Sequence, residues 1–341
     1  MRRSGGSLTS APIADQQANL TIDVVRNQLD DATAAELRSF WAQHAAMADD
    51  DAQRRLPEVV CVLRGAGGAI AGACSVFAGE VPLIDNRRFH ILRTLLPGDA
   101  SERFFDVLAA AWHALDAEYG GTAGEPVGVC ALPGERERLA RPQAEWQDPR
   151  TIYAGYLSDG RQVRLAYYSG AVSAGHRDWA SERGFRIVPF AGQEDVTPDD
   201  VVALWTAEAG LSEAEARRRV DEVMLVAIDD EGRLAGVTTR YLRHNQQLRM
   251  DLWYQRAFTA HAHRKSAIGT ALAVRGREHL EEAYVSGRDT RAAGLIYEVE
   301  NEMLKQIFPN PVWKPADVLF IGATEQGAHV RVHYFAGAVA P

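Results

Sequence analysis

The residues of this chain with the most chemistry to offer lie between positions 251 and 308. At 261–270 the sequence reads HAHRKSAIGT, two imidazoles and two cations followed by small residues, just before a stretch with helical spacing. Small residues let a ligand approach the backbone, and the free N–H groups and dipole of a helix start attract an anion. Arg264 and Lys265 add positive charge at the same place. An imidazole can act as a base or contact a phosphate, which makes His261 and His263 candidates for either role. HAH has no third ligand at suitable spacing, and no metal site is expected. At 295–301, LIYEVEN sets Glu298 and Glu300 two apart on a predicted strand, and so on one face. A carboxylate on an otherwise apolar strand is costly unless it is partnered or faces a cleft, which makes both candidate proton acceptors. Asp251, on the preceding strand, is an alternative base.

The elements that must position these groups follow from period and punctuation. FRIVPF is a short strand, and Thr197 with Asp200 opens a helix bearing Val201, Leu204 and Trp205. SEAEARRR is a second short helix, whose Arg217–Arg219 run reads as a solvated face. EVMLVAID and RLAGVTTRYL form a hairpin turning at 229–232, and QLRMDLWYQRAFTA is a third long strand. SAIGTALAVRGREHLEEAY is a helix with Ile268, Leu272 and Leu280 near one face. A strand (AGLIYEVE), a short helix (NEMLKQIF) and a closing hairpin (VLFIGA, HVRVHYF) complete the unit. The order predicts an α+β fold, a mixed sheet with helices on its faces.

The same unit occurs earlier in the chain. Residues 32–72 align without a gap on 196–236, Trp41 facing Trp205, with about twelve identities in 41 positions where two or three are expected by chance. WQDPRTIYAGYLSDGRQVRLAYYSGA (146–171) aligns in the same way on 313–338. A period of about 165 residues is one ordinary domain, so two copies of one fold are expected. Trp41, Trp205, Trp146 and Trp313 recur between the copies, as core residues do. The break between copies is expected at 172–184, in a small, polar stretch.

The order of elements, with HRKSAIGTAL at a strand-to-helix junction, resembles the GNAT superfamily of N-acyltransferases. Their signature is Arg or Gln, two residues, Gly, one residue, then Gly or Ala; here it reads Arg264-Lys265-Ser266-Ala267-Ile268-Gly269, with Ala267 where glycine is usual. The resemblance implies an acyl-coenzyme A, acetyl or another acyl. Its pyrophosphate would lie on the stretch from Thr259 and His263 through Arg264, Lys265, Ser266, Ala267, Ile268 and Gly269 to Thr270, and its pantetheine arm along the fourth strand. Asn301, after the fifth strand, would contact the coenzyme. The family often has a tyrosine seven residues further on, which acts as general acid to the departing thiolate; here that residue is Phe308, which has no proton to give. Glu298, Glu300 or His261 would receive or relay the proton of the attacking amine. The first copy, aligned at Ser101 and Ser266, places Phe104 opposite Gly269, with Asp99 and Glu102 around the helix start. A bulky ring and acidic groups there oppose a pyrophosphate.

The expected organisation is therefore a tail over 1–18, a degenerate GNAT-like domain over 19–172 and an acyl-coenzyme A-binding one over 173–341. Each would be a mixed, mostly antiparallel sheet flanked by helices. The expected activity is acyl transfer to an amine of a small molecule; the alternatives are an acyl carrier protein as donor, or a GNAT-like protein that binds without transfer. A formal net charge of −9 argues against a nucleic-acid partner. Cys61, Cys74 and Cys130 lie in apolar, strand-like runs and read as buried structural thiols. No apolar run has the 18 or so residues of a membrane span, and Arg2–Arg3 precedes no apolar signal region, so a cytoplasmic protein is expected. Nothing in the sequence specifies an oligomeric state.

Overall fold

The computed structural model describes residues 20–122, 124–173, 184–264 and 266–341. The expected tail over 1–18, most of the stretch expected to join the copies, and Lys265 lie outside the described residues. In chain order the elements are β1 (Thr21–Val24), α1 (Asp31–Ala45), α2 (Asp49–Arg55), β2 (Val59–Arg64), β3 (Ile70–Val81) and β4 (Arg87–Leu95). Then come α3 (Phe104–Tyr119), β5 (Gly128–Ala131), α4 (Glu135–Ala140), β6 (Glu145–Trp146), β7 (Thr151–Tyr156) and β8 (Gln162–Tyr167). The series begins again with β9 (Phe185–Pro189), α5 (Pro198–Glu208), α6 (Glu213–Arg219), β10 (Val223–Asp229), β11 (Leu234–Asn245) and β12 (Met250–Thr259). It closes with α7 (Ile268–Val285), β13 (Gly294–Val299), α8 (Glu302–Ile307), β14 (Val312–Trp313), β15 (Val318–Ala323) and β16 (His329–Tyr334).

Two mixed sheets result, each of eight strands and mostly antiparallel. Their orders are β1-β2-β3-β4-β5-β8-β7-β6 and β9-β10-β11-β12-β13-β16-β15-β14. Each has one parallel pair, β4 with β5 and β12 with β13. By internal contacts the chain falls into two units: the described residues up to Ser75 with Thr94–Ala110, and Val76–Arg93 with Ala111–Pro341.

In the first unit, Leu37, Phe40 and Trp41 of α1 pack on Val59, Val62 and Ala73, and the carboxylate of Asp30 caps α1 by accepting the Thr33 N–H at 2.6 Å. Cys61 and Cys74 face each other across β2 and β3, both buried.

The second unit shows why α5 and α7 sit on opposite faces of their sheet. Along β10, Val226 and Ile228 pack with Val201 and Trp205 of α5, whereas Leu225 and Ala227 pack with Ile268, Leu272 and Leu280 of α7. That is the two-residue alternation of a strand buried on both sides. Thr197 and Asp200 form a complete capping box at the start of α5.

Within this unit, aligned positions of the two halves make the same bonds. Tyr167 donates its hydroxyl to the carbonyl of Phe320 at 2.6 Å, and Tyr334 donates to the carbonyl of Tyr153 at 2.8 Å. The buried Arg164 guanidinium donates to the carbonyls of Gln143 and Ala144; the buried Arg331 donates to those of Asn310 and Pro311. Gly155 and Gly322 sit in matching bulges at φ 121° and 135°, where a Cβ would strike the carbonyls of Gln247 and Leu83. Arg150 and Asp317, 167 apart and aligned on each other, pair directly.

Candidate functional site

β12 and β13 are paired only at Trp253 with Leu295 and Tyr254 with Ile296. Beyond that point β12 continues to Thr259 held by β11, and β13 continues to Val299 held by β16. Beyond those two pairs the facing edges of the strands form no ladder with each other, and unpaired backbone N–H and C=O groups are what a ligand's amides can bond.

The turn at 261–267 stands at the end of β12. His261–His263 form one turn of 3-10 helix, and the Ser266 hydroxyl donates to the His263 carbonyl at 2.6 Å while accepting the Ile268 N–H at 3.3 Å. Ala267 precedes α7 without a side-chain cap. The N–H groups of Gly269 and Thr270 therefore lie in the first turn of an 18-residue helix, where no intrahelical acceptor exists and the dipole favours an anion. The Ile268 side chain is buried in the core, so this residue offers only its backbone. A Cβ at Gly269 would come 3.1 Å from Thr259 Oγ1, so a glycine here lets the helix start close against the end of β12. Arg264 is exposed, with its guanidinium 5.9 Å from the Phe258 ring centre.

On the α5 face, beside this turn, is a cavity of about 360 Å³ lined by Trp205, Glu208, Arg219, Thr239, Arg256, Phe258 and Arg264 among others. Glu208 is the functional candidate that the sequence reading missed. It is the last residue of α5, where a carboxylate faces the negative end of the helix dipole. Its Oε2 accepts the His261 N–H at 2.5 Å and lies 3.9 Å from His261 Nδ1. An acid closing a helix whose last turn has no base was the available signal. Arg219, expected on a solvated face, is part of this wall and pairs with Glu215 at 2.7 Å. Arg256 lies 4.2 Å over the Tyr241 ring and 3.4 Å from Glu222.

The remaining candidates are placed as follows. His263 Nε2 is 3.4 Å from the nearly buried Asp229, whose carboxylate also accepts the Glu231 and Arg233 N–H groups of the hairpin turn. Glu298 is on β13, 3.9 Å from Arg243. β13 ends at Val299, so the expected alternation does not reach Glu300, which lies exposed beyond the strand. Asn301 caps α8, its Oδ1 accepting the Met303 and Leu304 N–H groups at 2.9 and 3.2 Å. Phe308 ends that helix with its ring 4.9 Å from Trp313. Asp251, at the far end of β12 from the turn, is exposed and bonded to His244 at 2.9 Å. Among the described residues no group of three or more His, Cys, Asp or Glu could hold a metal, and no helix is long and apolar enough to cross a membrane.

No family model and no curated protein matches the chain. The solved structures it resembles include GNAT acetyltransferases. A GCN5-related N-acetyltransferase from Kribbella flavida is 15% identical, covers 46% of this chain and 100% of its own, and gives a TM-score of 0.32. A GNAT-family acetyltransferase from Streptococcus pneumoniae is 10% identical over 45% of this chain and 99% of its own, with a TM-score of 0.31. The toxin AtaT, in a complex with acetyl-methionyl-tRNAfMet, is 10% identical over 43% of this chain and 93% of its own, with a TM-score of 0.30.

Proposed function

We propose that this protein is an acyl-coenzyme A-dependent N-acyltransferase, built of two copies of one fold, whose second copy carries the chemistry. The observation that carries the reading is the conjunction at one place of an uncapped helix start, Arg264 and the parting of β12 from β13, beside a cavity with a carboxylate in its wall. The N–H groups at the start of α7, with Arg264, Lys265 and Ser266, would hold the pyrophosphate. The open edges of β12 and β13 suit the amide-rich pantetheine arm, which bonds to a strand edge as a peptide does. The acyl group would then meet an amine of a small molecule in the cavity.

Direct transfer forms the N–C bond as the C–S bond breaks; the amine loses a proton and the thiolate leaves. The second copy contains no cysteine to carry the acyl group covalently, and Phe308 cannot protonate the thiolate. Asn301 already spends its carbonyl on capping α8, so its amide group is what remains for a coenzyme. The test is release of free thiol from acetyl-coenzyme A on addition of primary amines. The reading expects release that depends on the amine and is lost in Gly269→Glu; none with any amine overturns it.

A further inference from the structure

We propose that Glu208 is the site of the acceptor amine, the group that accepts a hydrogen bond from the neutral amine and takes its proton as the N–C bond forms. This rests on the acyltransferase reading and names a residue that neither the signature motif nor the fifth strand supplies. Among the described residues lining the cavity, Glu208 is the only carboxylate. The guanidinium groups that line the cavity with it are Arg219 from α6, Arg256 from β12 and Arg264 from the turn before α7, where the His261 imidazole also lies, 3.9 Å from Glu208. Arg219 and Arg256 have carboxylates of their own, at 2.7 and 3.4 Å. A pocket walled by guanidinium groups disfavours a bound ammonium and favours the neutral, nucleophilic amine, provided one base receives the proton. Glu208 is that base, and it gives the proton up to solvent, with the half-exposed His261 imidazole, 3.9 Å away, within reach through one water. The proton balance then closes: the amine gives one proton to Glu208, and the departing thiolate takes one from water.

Position 208 also separates the two halves of the chain. Trp205 aligns on Trp41, so Glu208 aligns on His44, a base in the last turn of α1, where the helix dipole prefers one. The second copy bears the less stable residue at this place, as expected where a group is kept for chemistry.

The experiment compares wild type with Glu208→Gln, measuring transfer from acetyl-coenzyme A to benzylamine, spermidine, glucosamine and lysine between pH 6.5 and 9.5, and titrating acetyl-coenzyme A by calorimetry. Glutamine can still accept the His261 N–H, so the turn keeps its seat while the charge is lost. The expected result is unchanged coenzyme affinity with kcat/KM at pH 7 reduced on the order of 100-fold, the deficit shrinking at high pH as free amine becomes abundant. Wild-type kcat/KM across the range overturns the proposal. So does a loss that is matched by an equal loss of coenzyme binding, which would make Glu208 a support for the turn. If wild type binds no thioester and acylates no amine, the acyltransferase reading fails, and this proposal with it.

Discussion

The turns before α3 and α7 begin alike and end differently. Ser101 donates its hydroxyl to the Gly98 carbonyl at 2.7 Å, as Ser266 does to that of His263 at 2.6 Å, and each turn leads into the long helix of its half. Around that shared bond the charges are reversed. The first turn has Asp99 where the second has Arg264, and Phe104, nearly buried, where the second has Gly269. At the end of the preceding helix, His44 stands where the second half has Glu208. The packing recurs much more faithfully. Arg93 lies 4.7 Å over Phe77, and Arg256 lies 4.2 Å over Tyr241 at the paired positions. The comparison teaches that the charges at a helix start and a helix end can change while the packing around them is kept.

The largest expected effect tests the shared part. The buried guanidinium of Arg164 serves the carbonyls of Gln143 and Ala144, and that of Arg331 those of Phe308, Asn310 and Pro311, so Arg164→Met and Arg331→Met should each cost about 3 kcal/mol or more, read by denaturant unfolding. If one half tolerates the change and the other does not, the equivalence of the two cores breaks.

The divergent part responds to charge. Arg264→Asp installs the first half's residue at an exposed site, and should weaken acetyl-coenzyme A binding by about 2 kcal/mol, roughly 30-fold, without moving the melting temperature. Unchanged affinity in a calorimetric titration would show that the asymmetry has no bearing on binding.

A third effect depends on pH. Burial pulls the His333 imidazolium down, but hydrogen bonds to Asp317 and Glu281 outweigh it and lift the pKa to about 8 from 6.5. Burial likewise opposes ionisation of Asp317, yet His333 and Arg150 bring it to about 2, so it stays charged throughout. A raised imidazole pKa stabilises the fold fully below pH 6.5, and that contribution, about 2 kcal/mol, is lost as pH rises through 8. The aligned residue of the first half is Ala166. Melting curves from pH 6 to 9 should show the loss, and His333→Ala should flatten it; a slope that survives that change would assign it elsewhere.

The smallest effect concerns the caps. Asp30→Ala and Thr197→Ala each remove a side chain that accepts a first-turn N–H, and each should cost about 1 kcal/mol, measurable by chemical denaturation. Unequal costs would show that α1 and α5 are not equivalently anchored.

Much of this architecture was legible in the sequence because period and punctuation are local. Asp229 and Gly232 marked the hairpin of β10 and β11, Thr197 and Asp200 marked the start of α5, and Ile268, Leu272 and Leu280 marked the buried stripe of α7. The two-residue strands β6 and β14 were not legible, since two residues show no alternation. The site was legible only where it is contiguous. The turn before α7 could be read as a unit, whereas Glu208 meets His261 across 53 residues of chain. The resemblance points to Asn301 and residue type to His263 as ligand contacts, but neither signal gives the neighbours that hold a side chain: the Asn301 carbonyl caps α8 and the His263 imidazole lies against Asp229. Glu300 missed the strand by one residue, a boundary that periodicity does not resolve.

The most direct test of the account is calorimetric titration of the whole chain with acetyl-coenzyme A, alongside Gly269→Glu and Phe104→Leu. The account predicts one site per chain, abolished in Gly269→Glu with the fold intact by circular dichroism, and unchanged in Phe104→Leu. Two sites per chain, or binding that persists in Gly269→Glu, would contradict the claim that the second turn alone holds the coenzyme.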